Sequence, residues 1–499
     1  MMARYWVVAL ALALVASGCV NQRKEIGKYR EILDRDVPGP VPQLAPREEL
    51  TLTRALLLAN QDNETLMIRG EDYVQAMNDK DRAFAQFLPT ISVQPNYTIS
   101  HNQNAGQSSV TSAGTARPVG TSGGFKAVGR TLRRFEVPVV ATGNLFRGFR
   151  DFQSLEAADW TLEQFRQLML DARATLMLDV SQAYYQVLLA ERSIDVITQS
   201  LGAQQERVRD AQGKINAGTG KPLDLAQAEA QVASTRVTLV QAQGDAANAR
   251  TLLAFLIGAK EVSGPLHDDF GLPDRTARVE DLLSQAWTHR EDYRASQAVV
   301  EAAQHNVEAA IGEYYPSVTL NITGYLFREN FSDASKWNTL LQVNLPIFSA
   351  GVIEADVRTA WSKLRQAALD QSLLHRQIEE QVRQDYQNYL TSNDKLRELD
   401  AQISAAAEAY RQAKAGFSAG TAIFLDVLTA QNVLLNSELE VATEAYNEKV
   451  IYLTLLRSTG SLDFDAVRGA TTRPTTMPAT MPAAAPAPGG AAPAPEGNR

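Results

Sequence analysis

Ala217-Gly218-Thr219-Gly220-Lys221-Pro222-Leu223-Asp224 returns later in the chain as Ala419-Gly420-Thr421-Ala422-Ile423-Phe424-Leu425-Asp426. The 202 residues that separate Gly218 from Gly420 are an offset kept far beyond these positions. In the same frame Leu176, Val180, Tyr184 and Val187 fall on Ile378, Val382, Tyr386 and Tyr389. Phe146 falls on Phe348, Ala228 on Ala430 and Gly258 on Gly460. Self-similarity on this scale means one structural unit used twice. Each copy is a glycine turn between long, alanine-rich, proline-poor stretches. A helix can end at Gly218 or Gly420 because glycine enters the left-handed region without steric cost. Pro222 stands where the first turn of a new helix tolerates it. The unit is a long helical hairpin, with Gly218, Thr219, Gly420 and Thr421 at its two tips.

Upstream of the tips, Phe149 to Gln212 and Val352 to Ala415 contain no proline. At ~1.5 Å per residue each would extend roughly 95 Å, longer than a globular core, so these helices must pack side by side as coiled coils. Leu176, Val180, Tyr184 and Val187 mark one seam. Leu223 to Ile257 and Leu425 to Leu456 lead back. A soluble scaffold coiled coil would share this pattern.

Before each long helix stand two segments of strict alternation. Ile91, Val93, Tyr97 and Ile99 alternate with polar residues, and Phe135, Val137 and Val139 return. Val318, Leu320, Ile322 and Leu326 alternate in the second copy, and Trp337, Thr339, Leu341, Val343 and Leu345 return. Period two puts the apolar side chains on one face. The strands are expected at about 90–100, 131–141, 317–327 and 337–346, the length that crosses a tilted bilayer. Each hairpin is entered from one helix and left into another, so lipid is the simplest cover for its apolar face. Four strands cannot close, and an open sheet edge in hydrocarbon leaves backbone groups that cost several kcal/mol each. Other copies of the chain must complete a barrel; about eight strands is the bacterial minimum, so two chains are required and three give twelve.

The helices before the strands, Glu48 to Phe87 and Val279 to Tyr315, end at Pro89 and Pro316. This offset is larger, 227 residues. The excess lies in the polar Gly/Ser/Thr/Asn/Gln-rich loop from His101 to Arg130, which has little to build a core with.

The formal net charge of −9 carries no basic footprint, which argues against a nucleic-acid partner. Cys19 is the single cysteine, so disulfide frameworks and cysteine-based metal sites are excluded elsewhere. A positive start, an apolar run from Tyr5 to Val15 and small residues Ala16-Ser17-Gly18 precede it, which reads as an export signal. After that no apolar run is long enough for a spanning helix. The five histidines, His101, His267, His289, His305 and His375, show no metal-ligand spacing, and no phosphate loop or catalytic constellation appears. No enzyme, metal or cofactor is expected. The resulting domain plan is 1–18 signal peptide, 19–47 extended arm, 48–260 first repeat, 274–460 second repeat and 461–499 a Pro/Ala/Thr-rich tail without a core.

The ordered, duplicated set resembles the TolC-like outer-membrane efflux protein family, lipoprotein type. Phe87-Leu88-Pro89, Tyr314-Tyr315-Pro316, the Phe348 to Gly351 turn, Ala419-Gly420-Thr421, Leu425-Asp426-Val427-Leu428 and Ala430-Gln431 carry the likeness, which covers about Leu50 to Gly460. The fold it implies combines an all-α coiled coil with a transmembrane β-barrel: a homotrimer whose twelve-stranded barrel continues as a periplasmic α-helical tunnel. It implies a passive exit duct for small molecules such as drugs or metal ions, anchored in outer-membrane lipid. Its partners would be a periplasmic adaptor and an inner-membrane pump. Type I protein secretion is the alternative; a periplasmic adaptor or scaffold is the alternative from another class.

Residue by residue, the resemblance makes Cys19 a lipidation site, though Ala16 departs from the usual larger aliphatic residue. Asp426 matches a constricting ring of carboxylates at the periplasmic tip, where like charges would raise the apparent pKa. Asp224, its counterpart, is read instead as an acid stabilised by the start of a helix. Ala422 and Phe417 stand where some relatives carry an arginine and a tyrosine that lock the tip, and Thr429 replaces a second acid. Closure is therefore expected to rest on contacts such as Phe417 with Phe424.

Overall fold

A computed structural model of the chain describes residues 22–35, 37, 39, 42–102, 130–273, 277–329 and 336–470. The expected signal at 1–18, Cys19, most of the His101–Arg130 loop and the tract from Thr471 to Arg499 lie outside the described residues. In chain order, α1 (Gln22–Leu33) leads to β1 (Leu50–Thr51), α2 (Leu52–Asp62) and α3 (Glu64–Ala85). Next come β2 (Thr90–Val93), β3 (Asn96–Asn102) and β4 (Arg130–Arg147), then a hairpin of α4 (Arg150–Asn216) and α5 (Pro222–Leu256). β5 (Leu266–His267) is followed by α6 (Val279–His289), α7 (Glu291–Ile311), β6 (Ser317–Arg328) and β7 (Trp337–Asn344). The second hairpin is α8 (Val352–Ala419) and α9 (Phe424–Ser458), and α10 (Phe464–Ala470) ends the described chain. All four long helices start at positions 202 residues apart in the two copies, and α5 and α9 both have 35 residues.

The chain divides into two compact units. The first contains the antiparallel sheet β2-β4-β6-β7, with β3 also on β4. β2 and β3 are one strand interrupted at Gln94-Pro95, where the sequence suggested continuity. Proline has no N–H for the ladder, and the Gln94 N–H instead reaches the Pro138 carbonyl, 3.0 Å away. β4 outruns its expected span of 131–141. Gly143 to Arg147, beyond that span, continues the strand because β6 offers it partners from Leu320 to Ser317. Its counterpart, Leu345 to Ser349, has no strand beside it in the described chain, and Ile347 and Phe348 are 92% and 88% exposed. Ile91, Val93, Tyr97, Ile99, Trp337, Leu341 and Val343 are all exposed on the strands.

The second unit holds α2, α5, α6, α9, α10, the parallel β1–β5 pair and the parts of α4 and α8 from Leu170 and Arg376 onward. Leu176, Val180, Tyr184, Val187, Ile378, Val382 and Tyr389 are buried here; Tyr386 is half-buried. The Tyr184 hydroxyl lies 2.8 Å from the Leu50 carbonyl and 2.7 Å from that of His267, so one phenol clasps both short strands. Lys449, nearly buried, donates to Asp268 and to the Phe270 carbonyl, both at 2.7 Å. A buried ion pair gains little net energy, but losing one partner strands the other.

The helices expected over Glu48–Phe87 and Val279–Tyr315 are each broken, at Asn63 and at Arg290, which are themselves 227 residues apart. The breaks do the same job. Asn63 Nδ2 donates to the Leu256 carbonyl (3.0 Å) and Arg290 to the Ser458 carbonyl (3.2 Å), the last carbonyl of the returning helix in each copy. A helix end needs such partners because its final carbonyls have none within the helix. Asp385 faces this second break; burial pushes its carboxyl up, opposed by Ser458 and Arg290.

Two terminal expectations change. Within 19–47, read as an extended arm, Gln22–Leu33 is helical because Tyr29 and Leu33 share an apolar side and are buried. Within 461–499, read as coreless throughout, Phe464–Ala470 forms α10, with Leu462, Phe464 and Val467 buried.

Gly258 and Gly460 follow the returning helices, both at φ +68°, and a Cβ on Gly460 would lie 2.6 Å from the Arg290 nitrogen. Gly460→Ala is therefore expected to cost about 2–4 kcal/mol, combining left-handed strain with a backbone clash. Gly218→Ala, with open space around it, should cost only about 1 kcal/mol. Chemical unfolding of the two variants checks the ranking; equal losses would remove the close approach from the account.

Candidate functional site

The two tip turns are built alike. Gly218 and Gly420 adopt φ +75° and +78°. Thr219 returns its backbone N–H to the Lys214 carbonyl (3.0 Å) and its hydroxyl to the same oxygen (3.2 Å). Thr421 does the same to the Gly416 carbonyl, at 2.9 and 3.2 Å. The threonines thus satisfy carbonyls that a helix end leaves without partners. Residue size is compensated between the copies. Where the helix carries Lys214 the turn carries Gly220, and where the turn carries Ala422 the helix carries Gly416. A Cβ at Gly220 would meet the Ile215 nitrogen at 2.5 Å.

The aspartates differ in what holds them. Asp426 is exposed, and its carboxylate accepts the Ile423 N–H (3.1 Å) at the start of α9. Asp224 is half-buried in the first turn of α5. Both positions are favoured by the helix dipole. The sequence-named aromatics meet: Phe417 and Phe424 have ring centroids 5.5 Å apart, and Phe424 joins Ala228 and Leu428 in a small core under the tip. Lys214 lies over the Phe417 ring at 4.3 Å, a cation–π contact.

A tie between the hairpins escapes sequence reading. The Arg207 guanidinium, on α4, donates to the Tyr410 hydroxyl of α8 and to the Gln431 side chain of α9. Gln231 and Asn432 exchange amide hydrogen bonds between α5 and α9, at 3.0 and 3.3 Å. Arg207 and Tyr410 are one position out of register in the repeat frame, so the duplication that marks the turns does not mark this pair. Among the described residues no cluster of His, Cys, Asp or Glu could hold a metal, and no helix is long and apolar enough to cross a membrane.

The outer membrane efflux protein family model matches residues 73–259 and 282–461, one match for each copy of the repeat. The chain belongs to the outer membrane efflux protein family. Among curated relatives, the probable outer membrane lipoprotein SilC of Salmonella typhimurium is 23% identical over 301 residues, 57% of this chain and 63% of that protein. The cation efflux system protein CusC of Escherichia coli O157:H7 is 23% identical over 353 residues, 68% and 75% of the two chains. The solved outer-membrane channel OprN superposes with a TM-score of 0.70 at 21% identity, covering 82% of this chain and 90% of that one.

Removing the tie should loosen the tip without unfolding the protein. Arg207→Ala is expected to lose about 1.5–3 kcal/mol of contact between the hairpins, and Tyr410→Phe about 1 kcal/mol. A double-mutant cycle of Arg207→Ala with Gln431→Ala, followed by limited proteolysis at the tips, checks this. Additive losses would mean that the two side chains do not interact.

Proposed function

We propose that this member of the family is the outer-membrane exit duct of a tripartite efflux system, working as a passive conduit. The observation that carries this reading is the sheet. Its described strands expose apolar side chains, and both of its edges end without a partner among the described residues. Exposed apolar strands need a non-aqueous cover, and open edges need neighbouring strands. Three copies would supply the twelve strands of a barrel, and the helical hairpins of three copies would continue it as a periplasmic tunnel. The duplicated unit is a consequence: each chain contributes two equivalent staves.

Such a duct has no chemistry of its own, so an inner-membrane pump and a periplasmic adaptor would provide energy and docking. The names of SilC and CusC support a lipid-anchored efflux member, and Cys19 is the residue that would carry the acyl chains. Metal ions and small organic molecules are the cargo classes in view. Asp426 would face its two symmetry copies at the tip, where clustered carboxylates attract cations.

Reconstitution in planar bilayers tests both levels. The native protein should form stable cation-preferring pores. Asp426→Asn keeps an acceptor for the Ile423 N–H while removing the charge, and should lower cation preference and divalent block several-fold; Asp426→Ala should do the same with a less stable tip. Native-like selectivity in Asp426→Asn would remove this residue from the constriction, and no conductance at all would remove the duct.

A further inference from the structure

Between the tips of the two hairpins lies a pocket of about 140 Å³. Its floor is apolar: Phe417 and Phe424 meet there, and Val427 beside them is 2% exposed. Its rim is basic, with Arg207 and Lys214 from α4, Lys221 from the turn and Lys414 from α8. Asp210 and Asp224 are the two carboxylates of the lining. Four cations against two carboxylates reverse the sign of a chain whose formal net charge is −9.

Three features make this more than a solvated surface. Arg207 is engaged by the neutral Tyr410 and Gln431, so no carboxylate offsets it directly. Lys214, Lys221 and Lys414 have no ion pair with any described residue, and Lys214 lies over the Phe417 ring instead. The pocket is also large enough for one aromatic ring, since a cavity of about 150 Å³ holds a single benzene.

We propose that the pocket binds a monocyclic aromatic anion, a benzoate-type carboxylate or the equivalent sulfonate. The ring would take the face of Phe417 that the Lys214 ammonium covers, and that ammonium would turn with Lys414 to the acid group. Those residues belong to both hairpins, so the ligand would bridge them and stabilise the arrangement described here by mass action. A cation of the same size would meet the repulsion of the rim, and an aliphatic anion would forgo the aromatic floor. The inference is independent of the duct reading, because it concerns the tips in solution rather than conductance.

The test is ligand-observed fluorine NMR with para-fluorobenzoate on the full-length detergent-solubilised protein, with para-fluorobenzylamine as the cationic isostere. Benzoate should bind at least tenfold more tightly than the amine, and its affinity should fall as salt rises. Lys214→Gln with Lys414→Gln exchanges two exposed side chains and should weaken benzoate at least tenfold. Phe417→Ala should weaken it by a similar factor with unchanged salt dependence. No binding to the native protein, equal binding of the amine, or unaltered affinity in the lysine double variant would each overturn the proposal; the last would assign the signal to detergent or another surface.

Discussion

Unpaired backbone groups along two sheet edges are the constraint to which the rest of this structure answers. Among the described strands, β2 and β3 pair only with β4, and β7 pairs only with β6. Each unsatisfied group would cost several kcal/mol in hydrocarbon, far more than any side-chain contact on the sheet could return. In the duct proposed above, the edges would be paired outside the chain. The duplication would make that pairing geometrically simple, because the chain already contains one example of such a junction. Where β4 meets β6, the end of the first copy's hairpin pairs with the start of the second's. In the proposed barrel, the end of the second copy's hairpin would meet the start of a first copy from another chain.

The internal junction also supplies the register. Gly143 lies opposite Leu320, and Thr142 opposite Asn321. Shifted by the two repeat offsets, these pairs would become Leu345 opposite Val93 and Asn344 opposite Gln94 of a neighbouring copy in the proposed barrel. On that pairing, the exposed run from Leu345 to Phe348 would be a strand continuation that lacks its partner. The longer β4 and the shorter β7 would then be the same segment in two circumstances, paired and unpaired.

Much of this was legible in the residues. The hairpins were, because glycine, threonine and a following helix start recur at a fixed offset, and helix ends have few chemical solutions. The four alternating segments were, because period two is hard to produce by chance over so many positions. The breaks at Asn63 and Arg290 were not, since a polar residue inside a helical pattern looks like a solvated position until the helix end that it caps is known. The extension of β4 was hidden for a related reason: Gly143-Asn144 reads as a turn unless a partner strand stands beside it. At the tips, the glycine–threonine turns followed from local sequence, and the Phe417–Phe424 contact was suggested by the family likeness. The Arg207 tie and the basic rim depend on two hairpins meeting, and no periodicity records that.

The most direct measurement of the central claim is oxidative cross-linking of the double variant Val93→Cys with Leu345→Cys in outer-membrane preparations. Residues directly opposite in antiparallel strands stand at disulfide distance, and Cys19 is the only other cysteine in the chain. If neighbouring copies pair as the internal junction does, denaturing gels should show a ladder that ends at a covalent trimer, and either single variant should give none. A double variant that stays monomeric under oxidation, in a protein that remains membrane-bound, would contradict the pairing on which the account rests.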